Sequence, residues 1–179
     1  MVEKAKEDMK ISELLETKEF RAPDSKWEVN GVGLKRILNV EGEPIIALIE
    51  PQEQTFNNKV VDFLNCAFAS IDENGKPFHT ATGKNKFSGK IISAAFNAFK
   101  EKVHEFQYSA ITFVAMDRVD TRINIYENHV KKDLKKFGKS YEIFHLSNGN
   151  KGIVIFNDIS EDLKAEFLEW LKTQNKLKE

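Results

Sequence analysis

The sequence contains a single cysteine, Cys66. One cysteine excludes an internal disulfide and the paired thiolates of most structural zinc sites. Cys66 lies in an apolar run over residues 60–71, where a small buried thiol is more common than a reactive one. Because a fold without disulfides suits a reducing compartment, we predict a cytoplasmic protein.

Long hydrophobic runs are absent, and neither sign of charge is in clear excess. No stretch approaches the roughly 20 apolar residues that a membrane-spanning helix needs, so we expect no membrane partner. The 27 Lys and Arg residues nearly balance the 28 Asp and Glu residues, which gives a formal net charge of −1. Without a basic field over the whole chain, a nucleic-acid partner is not favoured.

Several common catalytic motifs are missing as well. The four histidines are far apart and form no His-x-x-x-His pattern, so we predict no metal site. The chain has no Gly-x-Ser-x-Gly elbow, no Walker loop and no dinucleotide-binding fingerprint. These absences exclude several frequent enzyme classes and leave catalysis of another kind open.

The composition that is present is typical of a globular protein. Hydrophobic residues make up 41% of the 179 residues and charged residues 31%, and 14 of the aromatic residues are Phe. This length and balance predict a single domain over residues 1–179. Helical spacing of apolar residues predicts a short helical leader over about residues 1–20 and a C-terminal helix over about 160–175, capped by Ser160.

Apolar alternation in the first half of the chain predicts four consecutive antiparallel strands. A turn at Glu41-Gly42-Glu43-Pro44 separates the first two strands, and Asn74-Gly75 separates the last two. The predicted strands span residues 32–40, 45–49, 60–71 and 78–82.

The pattern becomes helical after Gly83. Apolar residues recur at three- and four-residue steps from Ile91 to Phe106, and a strand, a second helix ending near Gly138 and a final hairpin follow. We therefore predict an α/β fold of the α+β type, in which helices flank a mixed, mostly antiparallel central sheet. The predicted core includes Phe96, Phe99, Val103, Ile111, Phe113, Ile123 and Val130.

This order of elements resembles the GNAT (GCN5-related N-acetyltransferase) fold over about residues 32–156. The family binds the pyrophosphate of acetyl-CoA on a loop of the form Arg/Gln-x-x-Gly-x-Gly/Ala at the start of a helix. Here Lys86 and Gly89 stand at the first two fixed positions of that loop, and Ile91 stands at the third. The cofactor-binding residues implied by the resemblance are Thr80, Thr82, Gly83, Lys84, Lys86, Ser88, Gly89 and Lys90.

A second family feature is a tyrosine on the following helix, which protonates the departing thiolate. Tyr126, four residues after Arg122, stands at the comparable point. With the Ser-Glu-Leu-Leu leader at residues 12–15 and a Thr-Gly turn, this helix is similar to those of small GNAT-like proteins encoded by phages. The resemblance also places His79 and Asp117 at the edges of the site, where either can act as general base for an attacking amine.

The same residues have simpler structural interpretations. Tyr126 is in helical register with Ile123 and Val130, as a core residue would be. His79 and Asp117 are equally typical of hydrogen-bonded residues at strand ends, and clustered lysines are typical of a solvated turn.

Two functions therefore remain open. The first is an acyl-CoA-dependent N-acyltransferase, with acetyl-CoA as cofactor and an unknown amine as acceptor. The second is a noncatalytic GNAT-like interaction protein of phage type, with a protein partner and no cofactor. The short connection at residues 41–44 favours the second, because ordinary family members place one or two helices there, whereas the position of Tyr126 favours the first.

Overall fold

The computed structural model describes residues 26–71, 77–78, 89–115 and 119–174, with the backbone alone at 77–78. The predicted leader over residues 1–20 and the predicted turn at Asn74-Gly75 lie outside the described residues. The prediction of a single domain over residues 1–179 is not tested by the parts that are described.

The described residues form a mixed α+β fold, which confirms the predicted class. One sheet has the strand order β1-β2-β3-β4-β6-β8-β7, and β5 pairs with β4 beside this path. The strands are β1 (Glu28–Asn30), β2 (Gly33–Val40), β3 (Glu43–Phe56), β4 (Lys59–Ile71), β5 (Pro77–Phe78), β6 (Ala110–Ala115), β7 (Ser140–His145) and β8 (Lys151–Phe156). The described helices are α1 (Gly89–Lys102), α2 (Val119–Lys132), α3 (Leu134–Phe137) and α4 (Glu161–Lys172).

Tight turns join the first strands into an antiparallel meander. The β2–β3 turn has positive φ angles at Glu41 (53°) and Gly42 (87°), which confirms the predicted reversal. A second two-residue turn, at Asn57 (φ 47°) and Asn58 (φ 68°), joins β3 to β4. Gly42 and the two asparagines suit positive φ, so the second turn fits its sequence fully and the first fits it at Gly42 but not at Glu41.

Strand β3 is much longer than its sequence predicts. The apolar alternation ends at Ile49, whereas the strand continues to Phe56 and pairs with β4 along its whole length. The prediction of an end at residue 49 is therefore wrong. Residues 50–55 are mostly polar and half-buried, so cross-strand pairing holds them in the strand without the alternation that marks one.

One parallel crossover interrupts the antiparallel pairing. After β4 the chain passes through α1 and returns in β6, which lies beside β4 and runs parallel to it. Residues 78–82 are the last of the four predicted strands, but the strand that borders β6 is β4 (Lys59–Ile71). Only Pro77 and Phe78 of the later segment are described as strand, and they pair with Ile71 and Ser70.

Helices cover both faces of the sheet. One face packs against α1 and α2, and all seven predicted core residues are buried in that cluster, as expected. Cys66 is buried in the same cluster, as predicted. The other face packs against α4, whose cap is also confirmed because the Leu163 amide donates to Ser160 Oγ at 3.3 Å.

The predicted second long helix is divided in two. Helix α2 ends at Lys132 and α3 follows Asp133, while the chain turns at Gly138 as predicted. A Cβ atom at Gly138 would lie 2.7 Å from the carbonyl oxygen of Phe156, so the close approach to β8 explains the glycine.

Candidate functional site

Strands β4 and β6 form the only parallel pair of the described sheet, and their pairing is brief. The register joins residues 63–65 of β4 to residues 110–112 of β6. Both strands continue beyond this register, β4 to Ile71 and β6 to Ala115. Their carboxyl ends and the first described turn of α1 belong to one crossover, and the ends of parallel strands are where α/β proteins commonly bind ligands.

Most of the predicted site residues lie outside the described residues. These are His79, Thr80, Thr82, Gly83, Lys84, Lys86, Ser88 and Asp117. The structure places three of the predicted residues: Gly89 and Lys90 are the first two residues of α1, and Tyr126 lies on α2. Their assigned roles stay predictions.

Lys90 has an acidic partner that the sequence did not reveal. Its Nζ atom lies 2.5 Å from Glu41 Oε1, and both side chains are largely exposed. Hydrogen bonding to Glu41, and then the charge of that carboxylate, raise the pKa of Lys90, so it stays cationic. An anion that binds at this helix start must compete with Glu41 for Lys90.

Gly89 and Ile91, the other two residues of α1 that belong to the predicted pyrophosphate-binding loop, differ in their surroundings. No atom lies within 4 Å of the place where a Cβ of Gly89 would stand, so the described residues would accept a side chain there. Ile91 is 3% exposed and packs in the core below α1. Its side chain therefore points away from the surface on which a phosphate would approach.

Tyr126 is a buried member of an aromatic cluster. It is 3% exposed, and its ring centroid lies 5.8 Å from that of Phe68 on β4 and 5.3 Å from that of Phe96 on α1. Burial raises the pKa of the Tyr126 phenol, and the nearby charge of Arg122 opposes that effect. The phenol therefore keeps its proton at neutral pH, as both a core residue and a proton donor would.

Glu43 is a candidate site residue that sequence analysis missed. Burial, and then the charge of Glu41, raise the pKa of its carboxyl group. Its Oε2 atom is buried and has no hydrogen-bond partner among the described residues. A carboxyl group in such an environment is a candidate general base. In the sequence it appears only as one of two glutamates in a turn.

A groove between α1 and α2 contains a second polar pair that the sequence did not reveal. The groove is a shallow surface depression with a volume of about 880 Å³, and the described residues that line it are Glu41, Gly89, Lys90, Ser93, Ala94, Asn97, Ile125 and His129. Within it, Ser93 Oγ lies 3.0 Å from His129 Nε2. Thirty-six positions separate the two residues in sequence, so only the packing of α1 on α2 reveals the pair.

Other kinds of site find no support in the described part of the chain. Among the described residues, no group of three or more His, Cys, Asp or Glu side chains is arranged to hold a metal ion. None of the described helices has the length and apolar character needed to cross a membrane.

Comparisons with known proteins give no further guide to the site. A scan against family models, a search of curated proteins and a search of solved structures found no match. The function must therefore be inferred from the geometry and chemistry of the described residues.

Proposed function

We propose that this chain is a GNAT-like N-acyltransferase that takes an acyl group from acyl-CoA and passes it to an amine. The main support is the parallel crossover of β4, α1 and β6 within a sheet that is otherwise antiparallel. This order of strands and helices matches the order on which the resemblance to the GNAT family rests. The crossover brings the carboxyl ends of two parallel strands and the start of α1 into one region.

In this proposal the loop before α1 binds the pyrophosphate of CoA. Lys84, Lys86 and Lys90 supply positive charge, and the amides in the first turn of α1 supply hydrogen-bond donors. Among the described residues, no side chain or backbone atom crowds Gly89, which leaves room for a phosphate near the backbone. The ion pair of Lys90 with Glu41 is exposed, so exchanging Glu41 for a phosphate costs little.

The chemistry assigned to the site needs an acid and a base. Tyr126 packs against Phe68 of β4, and it donates its proton to the thiolate that leaves when an amine attacks the thioester. The attacking amine must lose a proton, and Glu43, with its raised pKa and its buried oxygen, joins His79 and Asp117 as a candidate base. The cofactor supplies the activated acyl group, and the protein supplies orientation and proton transfer.

Calorimetric titration with acetyl-CoA and with CoA tests this proposal. The parent should bind both ligands, and changing Lys84, Lys86 and Lys90 together to Glu should weaken binding by ~1–3 kcal/mol, the scale of charge-assisted hydrogen bonds. A control variant with Lys131, Lys135 and Lys136 changed to Glu makes the same charge change on α2 and α3 and should bind like the parent. Equal affinity in parent and loop variant would reject the loop.

Tyr126→Phe separates binding from chemistry. The variant should bind CoA like the parent, whereas transfer to an amine should be slower by about 100-fold, as expected for loss of a general acid. Unchanged transfer by a correctly folded variant would leave Tyr126 as a core residue only.

The noncatalytic GNAT-like interaction protein remains the second candidate. The observation that favours it is the contact between Lys90 and Glu41, because an acidic side chain already satisfies the lysine that the resemblance assigns to the cofactor. A parent protein that binds no CoA at millimolar concentration would select this second function.

A further inference from the structure

The groove between α1 and α2 brings together a nucleophile and a base. Ser93 Oγ and His129 Nε2 lie 3.0 Å apart, within the range at which an imidazole takes the proton of a serine hydroxyl. Both side chains line the groove, which at about 880 Å³ has room for a small organic ligand. The pair is therefore placed where a ligand can reach it.

The imidazole of His129 is held in a fixed orientation. Its ring stacks on Phe96, with centroids 5.3 Å apart and planes 12° apart. Burial lowers the pKa of His129, the cations Lys132 and Lys100 lower it further, and Asp133 opposes them. The ring is therefore neutral at pH 7, and its Nε2 atom can accept a proton when Nδ1 carries the ring hydrogen.

The groove also offers groups that suit the rest of an ester. Asn97 lies one turn after Ser93, and its Oδ1 atom accepts from Lys100 Nζ at 3.1 Å. The amide nitrogen of Asn97 is a hydrogen-bond donor that can serve a developing oxyanion. Ala94 and Ile125 add apolar surface for a short acyl chain.

We propose that Ser93 is a nucleophile toward small carboxylic esters and that His129 is its general base. Ser93 Oγ forms a bond to the ester carbonyl carbon while its proton passes to His129 Nε2. The bond from carbon to the leaving oxygen then breaks, and the alcohol leaves with that proton. Water repeats the sequence on the acyl-serine and releases the carboxylic acid. This site needs no CoA, so it goes beyond the proposed acyltransferase.

A purely structural hydrogen bond between two helices would show the same distance. The two roles differ in reactivity, because only an activated hydroxyl attacks an electrophilic phosphonate or ester at neutral pH. Stability measurements alone would not distinguish them.

An alkyl fluorophosphonate is the probe for the nucleophile. Ser93 Oγ bonds to phosphorus, the phosphorus–fluorine bond breaks, and fluoride leaves while His129 takes the hydroxyl proton. Peptide mapping of the full-length chain by mass spectrometry should find the adduct on Ser93. His129→Gln should slow labelling by at least ~100-fold, the usual contribution of a general base. Ser147→Ala, which changes an exposed serine in the β7–β8 turn, should label at the parent rate.

Hydrolysis of p-nitrophenyl butyrate tests the ester assignment. The parent should release p-nitrophenol faster than buffer, and Ser93→Ala, with an unchanged circular dichroism spectrum, should fall to the buffer rate. An unlabelled Ser93, or equal labelling of the parent and a folded His129→Gln variant, would overturn the proposal. Labelling without release of p-nitrophenol above buffer would overturn the assignment to carboxylic esters. Both readouts are independent of CoA binding, so their failure is distinct from failure of the acyltransferase proposal.

Discussion

The two faces of the sheet carry different sets of side chains. The face under α1 and α2 combines a large aromatic cluster with ionisable groups, including Tyr126, the buried Arg122 and the Ser93–His129 pair. The face under α4 is a smaller cluster in which Phe167 packs against Phe63 and Trp170, and its buried polar residue Thr112 donates a hydrogen bond to Asn65. Both proposed activities use residues of the α1–α2 face, so we expect the α4 face to serve mainly as structural support.

The largest expected effect comes from the aromatic cluster of the α1–α2 face. Phe99 is fully buried and contacts the rings of Trp27, Phe68, Phe96 and Phe113. Phe99→Ala should lower the free energy of unfolding by ~3–5 kcal/mol, because it removes a large side chain and leaves a cavity. Denaturant unfolding measures this change. An unchanged transition midpoint would show that the cluster does not stabilise this face.

A smaller effect should come from the cap of α4. Ser160→Ala removes the acceptor for the Leu163 amide and should cost about 1 kcal/mol. Since α4 lies on the supporting face, the rate of fluorophosphonate labelling at Ser93 should stay at the parent value. Thermal unfolding and the labelling assay test both parts. If Ser160→Ala also lowered the labelling rate at Ser93, that result would contradict the division of roles between the two faces.

If the two faces are independent, mutations on them should have additive effects on the free energy of unfolding. Ile123→Val lies in the cluster under α1 and α2, and Leu171→Ala lies in the cluster under α4. The double variant should lose the sum of the two single losses to within ~0.3–0.5 kcal/mol, as separated sites do. A double-mutant cycle measured by denaturant unfolding gives the coupling directly. A coupling well above that range would mean that the sheet transmits packing changes between the faces.

Local sequence patterns predicted the helices and strands whose apolar spacing is visible in the sequence itself. Helical spacing identified the core residues Phe96, Phe99, Val103, Ile123 and Val130, since one apolar stripe must face the sheet, and the apolar strand run identified Ile111 and Phe113. The polar half of β3 could not be predicted, because pairing with β4 holds it in the strand. Only three of the eleven predicted site residues are described, and their roles remain predictions. Glu43 and the Ser93–His129 pair were not predicted. Burial raises the pKa of Glu43, and the packing of α1 on α2 forms the Ser93–His129 pair, and a single sequence shows neither burial nor contacts between helices.

The last prediction concerns the pH dependence that His129 gives to the α1–α2 face. Burial and the charges of Lys132 and Lys100 lower its pKa below the ordinary value of 6.5, while Asp133 opposes them and Ser93 Oγ contacts the ring. The folded state therefore binds a proton less readily than the unfolded state. This contribution to stability is fully present above about pH 6.5 and is lost as pH falls through the lowered pKa. Chemical denaturation between pH 8 and 5 should show a small decrease in stability that His129→Gln removes. The nuclear magnetic resonance signal of the ring should titrate below the ordinary pKa of histidine. If His129 instead titrated above about pH 7, the ring would be mainly a cation at neutral pH and could not act as the base for Ser93.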